Sequence, residues 1–265
     1  MVRALGEPED VKVGRMSTRR RESTFWKTVF GRPPGDRPRN RVLAAVARVF
    51  LHLHPARVRR HGARMRFTWC MGGISFLLFL VLTVTGVYLM FHYHPTKAEA
   101  YEDMQALRYD VPFGSLLRNL HRWAAHLMVI TVVIHMFRVF STGSYKPPRQ
   151  FNWLVGVLLL VLTLLMSFSG YLLPDDQLGY WAVTVGTNMA RDAPLIGHGG
   201  PVGEELGLRP GDDAHLALLG GTEVGGNALL RAYVWHCLAL PLLAALFCAL
   251  HFWRVRKDGG ISGPL

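Results

Sequence analysis

Three stretches of the chain carry no Asp, Glu, Lys or Arg: Phe67–Met90, Phe151–Pro174 and Ala232–Trp253, of 24, 24 and 22 residues. A helix needs about 20 apolar residues to cross the hydrocarbon core of a bilayer, so each predicts a membrane span. A further apolar stretch, Trp123–Phe137, has only 15 residues between Arg122 and Arg138. At about 1.5 Å per residue it reaches roughly 22 Å, short of the ~30 Å required. A helix there must hold polar residues at membrane depth, and such residues are functional hypotheses by default. The pattern predicts an all-α protein, a transmembrane four-helix bundle over residues 67–265. Ahead of it, Val42, Leu43, Val46, Val49, Phe50 and Leu53 repeat at helical spacing between arginines. That predicts an amphipathic interfacial helix within residues 41–66, ended at Pro55. Residues 1–40, polar and rich in Pro and Arg, are expected to be disordered. The second and third spans are joined by a tight polar turn (Gly143, Pro147, Pro148), the third and fourth by a long Gly-rich segment.

The formal charge of +12 comes from one place. Residues 1–66 hold 17 Lys/Arg against 5 Asp/Glu, and the remainder holds 13 of each. This basic tail precedes the first span, so the positive-inside rule puts it in the cytoplasm. The other connections agree. The second-to-third turn (Arg138, Lys146, Arg149) has no acids, and Pro174–Arg231 carries 8 acids and 3 bases. Both termini are then cytoplasmic, in a bacterial cytoplasmic membrane. With four spans, the basic balance is assigned to topology and anionic lipid, with no nucleic acid as partner. Cys70, Cys237 and Cys248 lie inside apolar stretches, and no CxxC or CxxCH is present. A disulfide framework, a zinc site and the usual c-type haem attachment are therefore unsupported. The arginines near Ser17–Arg21 lack a following apolar region, which argues against an export signal.

Four of the twelve histidines have a telling arrangement. His121 and His135 stand 14 apart on the second span, and His236 and His251 stand 15 apart on the fourth. At 100° per residue, 14 steps return to within about 40° of one face and 15 steps to within about 60°. Both spans run from outside to inside, so His121 is level with His236 and His135 with His251. Two stacked pairs of facing imidazoles suit two six-coordinate haem b groups, with the four histidines as axial ligands to iron. Bis-histidine ligation leaves no open iron site and so favours electron conduction. Gly72 and Gly86 on the first span, and Gly156 and Gly170 on the third, repeat with the same 14-residue period. Glycine lets a flat macrocycle approach a helix backbone. Arg118 and Arg122 flank His121 at the outer edge, where Arg118 in particular could pair with haem propionates. His126 has no matched partner and reads as a packing or hydrogen-bonding residue.

These residues resemble cytochrome b6, the short four-helix half of a split cytochrome b. The likeness is carried by HRWAAHLMVITVVIHMFRVF (His121–Phe140), SGYLLPDDQLGYWAV (Ser169–Val183) and RKDGGISGPL (Arg256–Leu265), within Phe67–Leu265. It implies that His121 with His236 binds the outer haem and His135 with His251 the inner one. It also implies that Cys70, in Trp69–Cys70–Met71–Gly72–Gly73, tethers a third haem by a single thioether, with Arg256 at a propionate of that haem. The first 40 residues have no counterpart in that family. The Gly199–Asp213 region is longer by roughly a dozen residues, and Thr187–Asn188 is closer to longer cytochromes b.

The resemblance further implies a subunit of a quinol:cytochrome c (or plastocyanin-like acceptor) oxidoreductase, inactive alone. Electrons would move from an outer quinol site, via two b haems, to an inner quinone site. The expected partners are a subunit IV-like C-terminal half of cytochrome b, a Rieske-type iron–sulphur protein and a cytochrome c subunit or other acceptor, in a dimeric membrane complex. The Pro-Glu-Trp-Tyr motif of the quinol-oxidising site is not in this sequence and is expected on the second subunit. Two other readings fit the spans: a dihaem anchor for a dehydrogenase without electron bifurcation, and a non-redox membrane scaffold or transporter.

Overall fold

The computed structural model describes residues 69–258, and the expected tail, interfacial helix and final segment beyond Asp258 lie outside these. The regular structure among the described residues is entirely helical, with no strand. The helices are α1 (Met71–Met90), α2 (Ala100–Tyr109), α3 (Gly114–Ser141), α4 (Gln150–Leu172), α5 (Gln177–Arg191), α6 (Ala214–Leu219), α7 (Gly226–Val234) and α8 (Leu240–Lys257). A π-helical turn, Trp235–Ala239, joins α7 to α8, so Gly226–Lys257 is one continuous span. Together with α1, α3 and α4 it makes four helices long and apolar enough to cross a membrane. The second span is 28 residues long, well beyond its apolar stretch, because Arg118, Arg122 and Arg138 lie within it.

The outward faces carry large apolar side chains, among them Leu77, Val84, Leu242 and Leu246. A patch that extensive is tolerated where lipid covers it, with all backbone polar groups satisfied inside helices. The interior holds smaller residues, including Ser75, Thr85, Ala124, Thr131 and Ala244. Without a hydrophobic drive between helices in lipid, small residues that permit close approach decide the packing. Ser75 donates to Thr131 at 3.0 Å, a buried link between α1 and α3. Leu162, Leu240 and Ala244, with Phe79, Met166 and Phe247 against them, fill the bundle interior.

The two ends of the bundle differ in charge. The α3–α4 turn and the end of α8 form a basic end, carrying Arg138, Lys146, Arg149, Arg254, Arg256 and Lys257. The opposite, acidic end carries α2, α5 and α6. Its long connection is partly helical, because Asp176 and Asp213 cap α5 and α6 through the amides of Gly179 and Leu216. Lys97 reaches Asp175 at 2.6 Å and Tyr93 donates to the Leu173 carbonyl at 2.6 Å, tying the first connection to the end of α4.

The π turn accounts for the unequal histidine spacing. Pro241 has no N–H to offer the carbonyl four residues back, and its ring crowds that carbonyl, which favours a local widening just before it. A π bulge absorbs one extra residue, or about 100°. His236 and His251 are therefore offset by about 40°, the same as His121 and His135 on the second span.

Candidate functional site

The structure brings the four histidines together in two pairs. The rings of His121 and His236 have centroids 6.2 Å apart and cross at 71°. Those of His135 and His251 are 6.4 Å apart and cross at 77°. The first pair lies toward the acidic end and the second toward the basic end, on facing sides of α3 and the fourth span.

Each of the four glycines singled out from the sequence faces one of these rings. A Cβ on Gly86 would stand 3.2 Å from Cε1 of His121, and one on Gly72 the same distance from Cε1 of His135. On Gly170 it would come within 2.5 Å of Cε1 of His236; on Gly156 it would meet Sδ of Met136 at 3.5 Å first and Cε1 of His251 only at an ordinary 3.9 Å. Gly73, next to Gly72, has nothing within 4 Å. Only the glycine on the bundle side is a close-approach position.

Hydrogen bonds orient the rings of the acidic-end pair. Nδ1 of His236 is 3.0 Å from the Met166 carbonyl and 3.3 Å from the Ser169 hydroxyl. A carbonyl only accepts, so Nδ1 carries the proton and Nε2 keeps its lone pair. The Thr85 hydroxyl donates to the Val81 carbonyl at 2.7 Å, which leaves its oxygen to accept from Nδ1 of His121 at 2.8 Å. Both imidazoles thus have a metal-competent Nε2 fixed by a neighbour, the arrangement expected around metal-binding histidines. At the basic end, Nδ1 of His251 is buried without a hydrogen-bond partner among the described residues.

The pairs fit an iron held in a porphyrin. A metal–imidazole bond is about 2.0–2.1 Å long and the ring centre lies ~1.1 Å further on, so two imidazoles on one metal have centroids about 6.3 Å apart. The observed 6.2 and 6.4 Å bracket that value. Among the described residues no cluster of three or more His, Cys, Asp or Glu could hold a bare ion. Two protein ligands per site suit a metal whose other ligands come from a macrocycle.

The remaining candidates are spread more widely. Arg118, half-buried, precedes His121 by one turn, whereas Arg122 is exposed. His126 is also exposed, edge-on to Trp123 at 5.8 Å, so its packing is on the outer surface of the bundle. Cys70 caps α1 with a left-handed φ of 51° and is two residues from the Gly72–His135 contact. Arg256 is half-buried at the end of α8. Two further arginines, Arg138 and Arg254, lie close to the basic-end pair in sequence. Arg138 is half-buried and follows His135 by three residues, mirroring Arg118 three before His121; that symmetry is visible in the sequence. Arg254 is 1% exposed, bonded to Asp258 at 2.9 Å and set over the Phe151 ring at 5.4 Å.

Comparison with known proteins places these features. The family model described as cytochrome b/b6/petB matches residues 59–259. The cytochrome b6 of Gracilaria tenuistipitata var. liui is 43% identical over 197 residues, covering 74% of this chain and 85% of the relative. That of Auxenochlorella protothecoides is 44% identical over the same shares. Among solved structures, a chain of "Hyperthermophilic respiratory Complex III" superposes with a TM-score of 0.66 at 27% identity, covering 84% of this chain and 54% of that one. Four apolar spans, two crossed histidine pairs each backed by glycines, and these matches lead to one assignment: the chain belongs to the cytochrome b/b6 family, as an integral-membrane, haem-binding electron-transfer protein.

Proposed function

We propose that the chain is the b6-like subunit of a quinol:electron-acceptor oxidoreductase, carrying electrons across the membrane from quinol oxidised at the acidic end to quinone reduced at the basic end. The observation that carries this reading is the two histidine pairs, stacked across the membrane and each spaced for one metal between two imidazoles. Haem, if held between each pair, would supply a one-electron carrier.

The chain's own residues do the rest. His121 with His236, and His135 with His251, offer Nε2 to iron. Thr85 and the Met166 carbonyl hold the first pair in the right tautomer. Arg118 and Arg138, half-buried three residues from His121 and His135, are proposed to neutralise propionates at the two ends. Leu162, Leu240, Ala244, Phe79 and Phe247 keep water out of the bundle interior. Gly72, Gly86, Gly156 and Gly170 leave the ring sites open. The Cys70 thiol, near the level of the basic-end pair, is proposed to carry a third haem through a thioether, with Arg256 at its propionate.

The acidic end is proposed to face outward, the basic end and both termini the bacterial cytoplasm. A small cleft among α4, α5 and α7, lined by Leu172, Tyr180, Val183 and Leu229, opens at the same acidic end. The proposed partners are a subunit IV-like protein, a Rieske-type iron–sulphur protein and a cytochrome c or similar acceptor, in a dimeric complex; "Complex III" in the name of the structural relative supports such an assembly. The test is rapid mixing of the purified complex with quinol while following b-type absorbance. Transient reduction and reoxidation is expected, and b absorbance indifferent to quinol would contradict the reading.

A further inference from the structure

We propose that Asp258 is the proton-uptake residue of the basic end, taking a proton from solution as an electron arrives at the His135–His251 pair and passing it to the quinone reduced there. This rests on the reading above.

Asp258 follows His251 by seven residues, so it lies within about 20° of the same helix face and about 10 Å further toward the basic end. Its amide still bonds the Arg254 carbonyl at 2.9 Å, so the helical register holds that far. Its side chain is only 6% exposed. One carboxyl oxygen takes the Arg254 guanidinium at 2.9 Å, and the other is buried with no hydrogen-bond partner among the described residues.

A structural ion pair at this spacing is normally a surface feature worth a few tenths of a kcal/mol. This one is interior on both sides. Arg254 is 1% exposed, between the rings of Phe151 at 5.4 Å and Trp253 at 5.8 Å. The charged groups facing the carboxyl are Arg254 and Lys257 on its own helix and Arg149 at the start of α4, with Arg138 beside Arg149. Burial raises the carboxyl above its ordinary range, and the pull of Arg254, Arg149 and Lys257 only partly opposes this. The oxygen without a partner is where a proton adds without disturbing the bond to Arg254. Negative charge arriving at the histidine pair favours that proton.

The balance is that of quinone reduction. Two electrons come through the histidine pair, two protons enter by Asp258 in succession, and the quinone carbonyls become hydroxyls. After each transfer the Asp258 carboxylate is reprotonated from solution.

The experiment is a redox titration of the purified complex from pH 6 to 9, following each b absorbance, for the native chain and for Asp258→Asn. In the native protein the basic-end reduction equilibrium is expected to shift by up to tenfold per pH unit, about 59 mV for a one-electron couple. In D258N that dependence is lost while the acidic-end carrier and haem content are unchanged. An undiminished slope in D258N would overturn the proposal. If D258N does not assemble, Arg254→Gln serves, since removing the cation must move the inflection to higher pH, and an unmoved inflection overturns the proposal equally. Absence of b absorbance in the native complex would instead overturn the underlying reading.

Discussion

Nδ1 of His236, in the π turn of the fourth span, lies 3.0 Å from the carbonyl oxygen of Met166 on α4. That contact assigns the ring proton to Nδ1 and leaves the lone pair on Nε2, while Nδ1 of His121 is held by Thr85. The ligand geometry of the acidic-end pair is therefore set by neighbours on α1 and α4. Replacing Thr85 with Val keeps the shape and removes the hydroxyl. Loss of such a supporting contact typically weakens metal holding by about 10–100-fold. T85V should release haem from the acidic-end site faster, with the basic-end site unaffected, as read from the decay of the two b absorbances in a haem-scavenging assay.

The glycines make a prediction with an internal control. Gly170→Ala puts a methyl within 2.5 Å of the His236 ring, and the ring must move. Overpacking of this kind costs about 1–3 kcal/mol. Haem at the acidic-end pair should be lost or spectrally shifted in G170A. Gly73→Ala, which meets nothing within 4 Å, should be silent at both sites.

Cys70 is tested without kinetics. A thioether survives denaturation, whereas axial coordination does not. A haem-stained denaturing gel should show the native chain stained and Cys70→Ala unstained, with both b absorbances of the C70A complex retained before denaturation. An unstained native band would remove the third haem.

At the acidic end, Asp213 is 4% exposed and joins two parts of the long connection. It accepts from the Leu216 amide at 3.1 Å and pairs with Nδ1 of His198 at 2.5 Å. Burial pushes its carboxyl up, but the Leu216 amide and His198 outweigh this and leave it below the ordinary value. A carboxyl lowered in the folded state stabilises at pH above its unfolded value, about 3.9, and that contribution fades as pH falls through the folded value. Hydrogen-exchange protection at Leu216 and Ala217 should hold steady down to about pH 4 and fall below it. Asp213→Ala should lose it at all pH values, by about 0.5–2 kcal/mol for the cap alone. Protection unchanged in D213A would contradict this role.

Much of this was legible in the sequence because membrane spans are written in composition. The histidine and glycine periods are also local properties of single helices, legible without knowing how the helices pack. The 15-residue spacing of His236 and His251 was harder to read. It looked like a looser match, and only the π turn ahead of Pro241 brings it into line with the second span. Arg254 and Asp258 were not legible at all. In sequence they sit in an ordinary basic helix end, and their burial depends on how the start of α4 packs against α8. The helices of the long acidic-end connection were likewise obscured, since its glycines and prolines read as turns while the caps at Asp176 and Asp213 act locally.

On the proposed reading, His121–His236 and His135–His251 form two separate haem sites. This is tested most directly by reduced-minus-oxidised spectra and extractable haem counts of the native complex beside His135→Ala and His251→Ala. Two extractable b haems per chain are expected in the native complex, and loss of the same single one in both variants. Loss of different haems by the two variants, or of both haems by either, would contradict it.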